Sequence, residues 1–328
     1  MQPPKLLVAA SIVLLQSLAF AAHAQLTASP VAARPPDLFL AIRSGDSLHV
    51  KLLLASGADV NDSLDGFSVL MVATLCGTPA EMKLLIDHGA QVNYANGDGI
   101  TALWLALPDP DRTGILLDHG AKAQALSKEG YSPLVKLALM PGTVDLFRLL
   151  IAAGADPRKS GPDNMLLYNT AASGDTAILG LLLRAGLSAN DTLFFGDYPI
   201  TAALFYRQFS TVKMLVEAGA KLNVQPHHSL LDQLNGFTPL MWAADVDDAP
   251  SFYLLLDHDA DPNLRNDKGY TALMLLQQAE KDEPDMTLAL IRHGAIPNIR
   301  ATDGSDALSL AQLKGNTRSV ALLKQSVK

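Results

Sequence analysis

The chain alternates short apolar runs rich in Leu and Ala with polar turns, and the runs end alike. Leu53-Leu54-Ala55-Ser56-Gly57-Ala58 is followed by Leu84-Leu85-Ile86-Asp87-His88-Gly89-Ala90 and by Leu116-Leu117-Asp118-His119-Gly120-Ala121. The series continues through Gly154-Ala155, Gly186, Gly219-Ala220, Asp259-Ala260 and Gly294-Ala295. Successive Gly positions, with Asp259 in the seventh, lie 32, 31, 34, 32, 33, 40 and 35 residues apart. A fixed period near 33 marks a repeat architecture, in which each unit buries its apolar face against its neighbours.

A second landmark sits upstream of each stop: Ser68-Val69-Leu70-Met71, Thr101-Ala102-Leu103-Trp104, Ser132-Pro133-Leu134-Val135 and Met165-Leu166-Leu167-Tyr168. Tyr198-Pro199-Ile200-Thr201, Thr238-Pro239-Leu240-Met241, Thr271-Ala272-Leu273-Met274 and Asp306-Ala307-Leu308-Ser309 complete it. The third slot is always Leu or Ile. Ser, Thr or Asp accepts a bond from free amides at a helix start, Pro fits the first turn, and Leu enters the core. The Gly is the matching stop, since it takes the left-handed conformation after a helix.

These residues resemble the ankyrin repeat, with its Thr-Pro-Leu-His start, Leu pair, Gly-Ala and terminal Asn, here Asn61, Asn93, Asn190, Asn223, Asn263 and Asn298. The resemblance covers residues 37–328 and implies an all-α repeat solenoid of about nine repeats including caps. Each repeat would be a β-hairpin finger plus two antiparallel helices. The His of the family motif is absent from every copy, which is expected to remove a hydrogen bond near each turn. The first repeat lacks a finger and begins at Asp37; the last carries Gln312, Lys314, Asn316, Arg318 and Lys324 as a polar outer face. Repeat three is short around Pro108-Asp109-Pro110-Asp111 and repeat eight long around Glu280 to Asp285, so both turns between paired helices should be distorted.

Residues 1–24 read as a signal peptide: Lys5, the charge-free run Leu6 to Phe20, and Ala22-His23-Ala24 before a cleavage expected at Gln25. Residues 25–36 form a linker. No Cys follows the run and no Arg-Arg pair precedes it, which argues against a lipid anchor and twin-arginine export. The expected compartment is the periplasm, or the exterior of the cell. The 328 residues are 49% hydrophobic, enough for a large core, and their net charge of −8 disfavours nucleic acid and anionic lipid. The one cysteine, Cys76, cannot form an internal disulfide and is expected to be buried.

Candidate function sits between the repeats. The finger slot before each helix start holds Phe67, Ile100, Tyr131, Asp197, Phe237, Tyr270 and Ser305. In the ankyrin family such a row lines the concave side and meets the partner, and aromatics are favoured anchors. On this reading Phe237 and Tyr270 point away from the core, so their removal should weaken binding and spare the fold. From Asn223 to Gly236 the link is seven residues longer than its counterparts; this extended finger, Val224 to Gln233, includes His227 and His228 and is a plausible contact loop. Adjacent histidines rarely share one metal, so no metal site is expected there.

His88, His119, His258 and His293 precede Gly-Ala or its equivalent and should meet free carbonyls at helix ends. The acidic stretch Asp245, Asp247, Asp248, Asp257, Asp259 and Asp261 matches no calcium loop. Gly45-Asp46-Ser47-Leu48 resembles a lipase nucleophile block, but no strand precedes it and it fits the turn between two helices. No phosphate loop, Cys-His pair or paired zinc motif appears. The expected function is a non-catalytic, monomeric module that binds a protein or peptide, without cofactor. An exported effector or toxin-neutralising protein is the alternative, with an enzyme or a small-molecule binder behind it.

Overall fold

The computed structural model describes residues 37–140, 142–162, 164–193, 196–226, 236–279 and 281–326. The expected signal peptide and linker, and His227 and His228, lie outside these. The chain divides into two compact units, one ending at Pro162 and one beginning at Asp163.

The first unit holds four helix pairs: α1 (Asp37–Ser44) with α2 (Ser47–Ala55), α3 (Val69–Cys76) with α4 (Pro79–Asp87), α5 (Ala102–Ala106) with α6 (Pro110–Asp118), and α7 (Pro133–Leu137) with α8 (Val144–Ala152). The second holds five: α9 (Met165–Ser173) with α10 (Thr176–Arg184), α11 (Pro199–Phe205) with α12 (Phe209–Glu217), α13 (Pro239–Asp245) with α14 (Ala249–Asp257), α15 (Ala272–Gln278) with α16 (Pro284–Arg292), and α17 (Ala307–Lys314) with α18 (Thr317–Ser326). The described residues thus carry the nine pairs that the period implies. In the second unit the first helices α9, α11, α13, α15 and α17 pack side by side, and the second helices form a parallel row behind them.

The local chemistry follows the pattern. Ser68, Thr101, Thr238, Thr271 and Asp306 each cap a first helix by accepting from the amide three residues on. Met165 departs from its landmark: α9 starts one position earlier, with Asn164 as its N-cap. The third-slot side chains Leu70, Leu103, Leu134, Leu167, Ile200, Leu240 and Leu273 are buried. Leu308, in the ninth pair, is only partly covered.

The Gly-Ala stop is a Schellman turn. Gly89 has φ +89° and the Ala90 amide reaches back to Leu85 O at 3.0 Å, a bond repeated from Ala121 to Leu116 and from Ala295 to Leu290. Asp259 makes the same turn at φ +63°, where a side chain is strained. The terminal Asn ties one repeat to the next. Asn61 Nδ2 donates to Gly89 O at 3.1 Å while its Oδ1 accepts from Gln91 N at 2.8 Å. Asn93, Asn190 and Asn263 repeat this pair of bonds; where Asn is missing, Gln124 Oε1 accepts from Asp156 N at 2.6 Å as an Asn would, but its Nε2 donates to Lys159 O rather than to the Gly carbonyl.

Three expectations need correction. Strand pairing among the described residues is confined to the first finger, where β1 (Ser63–Leu64) pairs antiparallel with β2 (Phe67–Ser68), and to a bridge between Ala95 and Thr101. Other fingers close on main-chain bonds within a tight turn, such as Asn266 N to Tyr270 O at 2.9 Å and Gly269 N to Asn266 O at 2.7 Å. The missing motif His is partly replaced: Thr201 Oγ1 bonds the main chain of Tyr198, and Ser309 Oγ that of Asp306. Asn316 is not part of the polar end; it is buried and donates to Gln277 O at 3.2 Å.

Both irregular turns are distorted as expected. In repeat three, α5 stops after five residues because Pro108 has no amide for Trp104 O. In repeat eight, Asp282 in the enlarged turn accepts from Arg318 N at 2.9 Å and from Ser319 Oγ at 2.5 Å.

Candidate functional site

The finger slot does not present an exposed row. Phe67 and Ile100 are buried, and Phe237 is 3% exposed, its ring 5.5 Å from Trp242 in an edge arrangement. At Phe237 the turn folds the slot side chain against its own helix, and the apolar slots Phe67, Ile100 and Phe237 become core. This overturns the expectation that Phe237 points away from the fold. Asp197 is also buried, and burial lifts its carboxyl pKa above the ordinary range. The nearby Tyr168 phenol is raised too, first by burial and then by Asp197 and Tyr206.

Tyr131 and Tyr270 are the slot aromatics that stay half-exposed. Tyr270 donates its hydroxyl to Asp303 Oδ2 at 2.6 Å. Hydrogen bonds from the Ser305 hydroxyl and then from Tyr270 hold Asp303 down at about 2. The extended finger is clamped at its base: Gly236 N donates to Pro226 O at 2.6 Å, and Gln225 Nε2 donates to Gly236 O at 3.0 Å and Arg265 O at 2.8 Å.

The first-helix face of the second unit carries what the slot does not. Phe205 and Tyr206, at the end of α11, are half-exposed, and their rings meet edge-on at 5.0 Å. Phe205 meets Trp242 of α13 at 5.3 Å. Asp245 lies one turn after Trp242, hence on the same face of α13. It reaches solvent, yet its packed surroundings raise its carboxyl pKa. Leu313, at the matching position of α17, is 82% exposed.

Other singled-out residues are structural. His88, His119, His258 and His293 each place Nδ1 within 2.7–2.9 Å of the carbonyl four residues back. Asp46 caps α2, and Ser47 Oγ donates to Glu81 Oε1 at 2.6 Å, so the lipase-like block is a helix start. Asp248 caps α14. Cys76 is exposed rather than buried, because it lies on the solvent side of the last turn of α3; partial burial raises its thiol pKa against the opposing pull of Arg43. Among the described residues no three His, Cys, Asp or Glu side chains converge as metal ligands would, and no helix is long and apolar enough to cross a membrane.

Lys136 escaped the sequence reading. Its side chain is buried, and Nζ donates to Trp104 O at 2.8 Å and Leu107 O at 2.9 Å, filling the carbonyl that Pro108 leaves open. Burial lowers its pKa from 10.5 to about 8. The unfolded chain therefore binds more protons between pH 8 and 10.5, and folding stability rises with pH across that window. We expect the unfolding free energy of the wild type, measured against Lys136→Met, to gain on the order of 3 kcal/mol from pH 7 to pH 11. A flat difference in matched urea titrations would show the amine to be fully charged in the fold.

The repeated pairs, Gly stops and Asn ties define an ankyrin-repeat protein. The family model for ankyrin repeats matches in three copies, over residues 38–109, 167–266 and 240–327. The chain belongs to the ankyrin-repeat family. It is 30% identical over 255 residues to the ankyrin repeat domain-containing protein M-T5 of Myxoma virus, covering 69% of this chain and 50% of the viral one. An ankyrin-repeat-containing protein of Treponema pallidum is 37% identical over 108 residues, 30% of this chain and 36% of its own. The ankyrin repeat protein YahD of Escherichia coli is 26% identical over 57% of this chain and 97% of its own. The chain thus spans a third to a half of the first two relatives and nearly all of the third. Ankyrin repeats are in general protein-interaction modules, and the family is typically non-catalytic.

Proposed function

We propose that this chain is a non-catalytic interaction module, exported to the periplasm, that holds a protein or peptide on the first-helix face of its second unit. One observation carries the binding site: the rings of Phe205 and Tyr206 are half-exposed at the end of α11, and Leu313 is exposed at the end of α17, on a row of first helices packed side by side. Exposed aromatics grouped on a rigid scaffold are favoured interface anchors. Tyr270 extends this face at the fingers of the same unit, and Tyr131 is the corresponding slot residue of the first. Phe237 supports this surface from inside, packed against Trp242, while Phe67 and Ile100 are core residues of the first unit.

The export part rests on Lys5, the apolar run Leu6 to Phe20 and Ala22-His23-Ala24. Fractionation of a Gram-negative producing strain, with mass spectrometry of the recovered chain, tests it. We expect a periplasmic chain that starts at Gln25. An intact Met1 or a lipid on the chain would overturn export, and recovery from the medium alone would favour an effector acting outside the cell.

A further inference from the structure

Asp245 is a carboxylate out of place. It sits beside Trp242 on a face lined by Phe205, Tyr206 and Val246, and among the described residues no cation pairs with it. Arg207 Nη2 donates to the main-chain Asp247 O at 2.9 Å, and Lys281 pairs with Glu283. An exposed carboxylate without a salt-bridge partner, set on a face that also carries aromatic rings, is open to an opposite charge brought from outside. The surroundings favour that sign. Residues 236–285 carry eleven Asp and Glu against three Lys and Arg. Two half-exposed rings next to the carboxylate offer the electron-rich faces on which a cation also rests. A second copy of this chain would bring the same acidic surface and be repelled, given a net charge of −8.

We propose that this face takes a peptide segment of a partner bearing a lysine or arginine, whose cation seats against the Phe205 and Tyr206 rings and pairs with Asp245. The inference rests on the interaction reading above and specifies the chemistry of its partner. The aromatic rings supply the apolar contact for the stem of the basic side chain, and Asp245 supplies the charge. The segment's flanking residues would run along α13 toward Val246.

A phage-displayed library of random 12-residue peptides, selected against the folded mature chain, tests this. Enriched peptides are then synthesised, with each Arg replaced by citrulline or each Lys by norleucine. We expect the enriched peptides to carry a basic residue whose neutral replacement weakens binding by about tenfold or more. Asp245→Asn should cause a similar loss, and so should Phe205→Leu, which keeps apolar volume while removing the ring. Both variants are first checked by thermal melts. The affinity should also fall as salt is raised. Enriched peptides that need no basic residue, or that bind Asp245→Asn unchanged, would overturn this inference while leaving the interaction reading in place. Failure of any peptide to enrich on the folded chain would count against both.

Discussion

Phe237→Ala is expected to destabilise the fold by about 3–5 kcal/mol, the usual cost of emptying a buried phenylalanine site. The side chain is 3% exposed and packs edge-on against Trp242, which in turn meets Phe205. Its removal therefore leaves a cavity at the joint of two repeats, and rigid first helices on either side limit collapse. Tyr270→Ala, at the equivalent slot of the next repeat, should cost much less. Tyr270 is half-exposed, and its hydroxyl donates to a surface carboxylate, Asp303. Urea melts of the two variants should differ clearly in midpoint. Equal midpoints would mean that the finger slot has one orientation throughout, and the burial pattern described above would be wrong.

Leu240→Ala carries a comparable expected loss, about 2–5 kcal/mol. Leu240 is the third-slot residue of α13, fully buried between first helices. His258→Gln offers the contrast. His258 is exposed, and its contribution is the bond from its ring to Leu254 O at 2.9 Å, so the change should cost under about 1 kcal/mol. The pair separates core register from helix-end decoration within a single repeat. If both variants lost the same stability in matched denaturant titrations, the assignment of Leu240 to the core would fail.

Much of the fold could be read from the chain because a repeat states the same local chemistry many times. Ser, Thr or Asp before each first helix, Leu in the third slot and Gly before Ala are all short-range requirements of caps, core and stop, and the structure places them so. The terminal Asn was visible as a pattern, but its purpose was not. Its two bonds run to main-chain groups about thirty residues on, as from Asn61 to Gly89 and Gln91, and those exist only once repeats stack.

The candidate site was less legible for the same reason. Equivalence of Phe67, Phe237 and Tyr270 follows from the period, but their exposure depends on how each finger folds onto its helix and on what the next repeat presents. Phe205 and Tyr206 fall outside the landmark residues that recur with the period, and the packing of Phe205 on Trp242 is what marks them. Lys136 had a partial signal. Pro108 lies four residues after Trp104 and must leave that carbonyl without its helical donor, yet the replacement donor comes from 32 residues away, one repeat further on.

Site-specific photocrosslinking tests the central claim, that the first-helix face of the second unit is where a partner binds. A benzophenone side chain would be placed at position 205 on that face or at the exposed position 210 on the second helix of the same repeat, in living cells of the producing strain. We expect a discrete protein adduct from position 205, absent from position 210 and lost on Asp245→Asn. An adduct from position 210 with none from position 205 would contradict the claim, and would move the binding surface to the second-helix row.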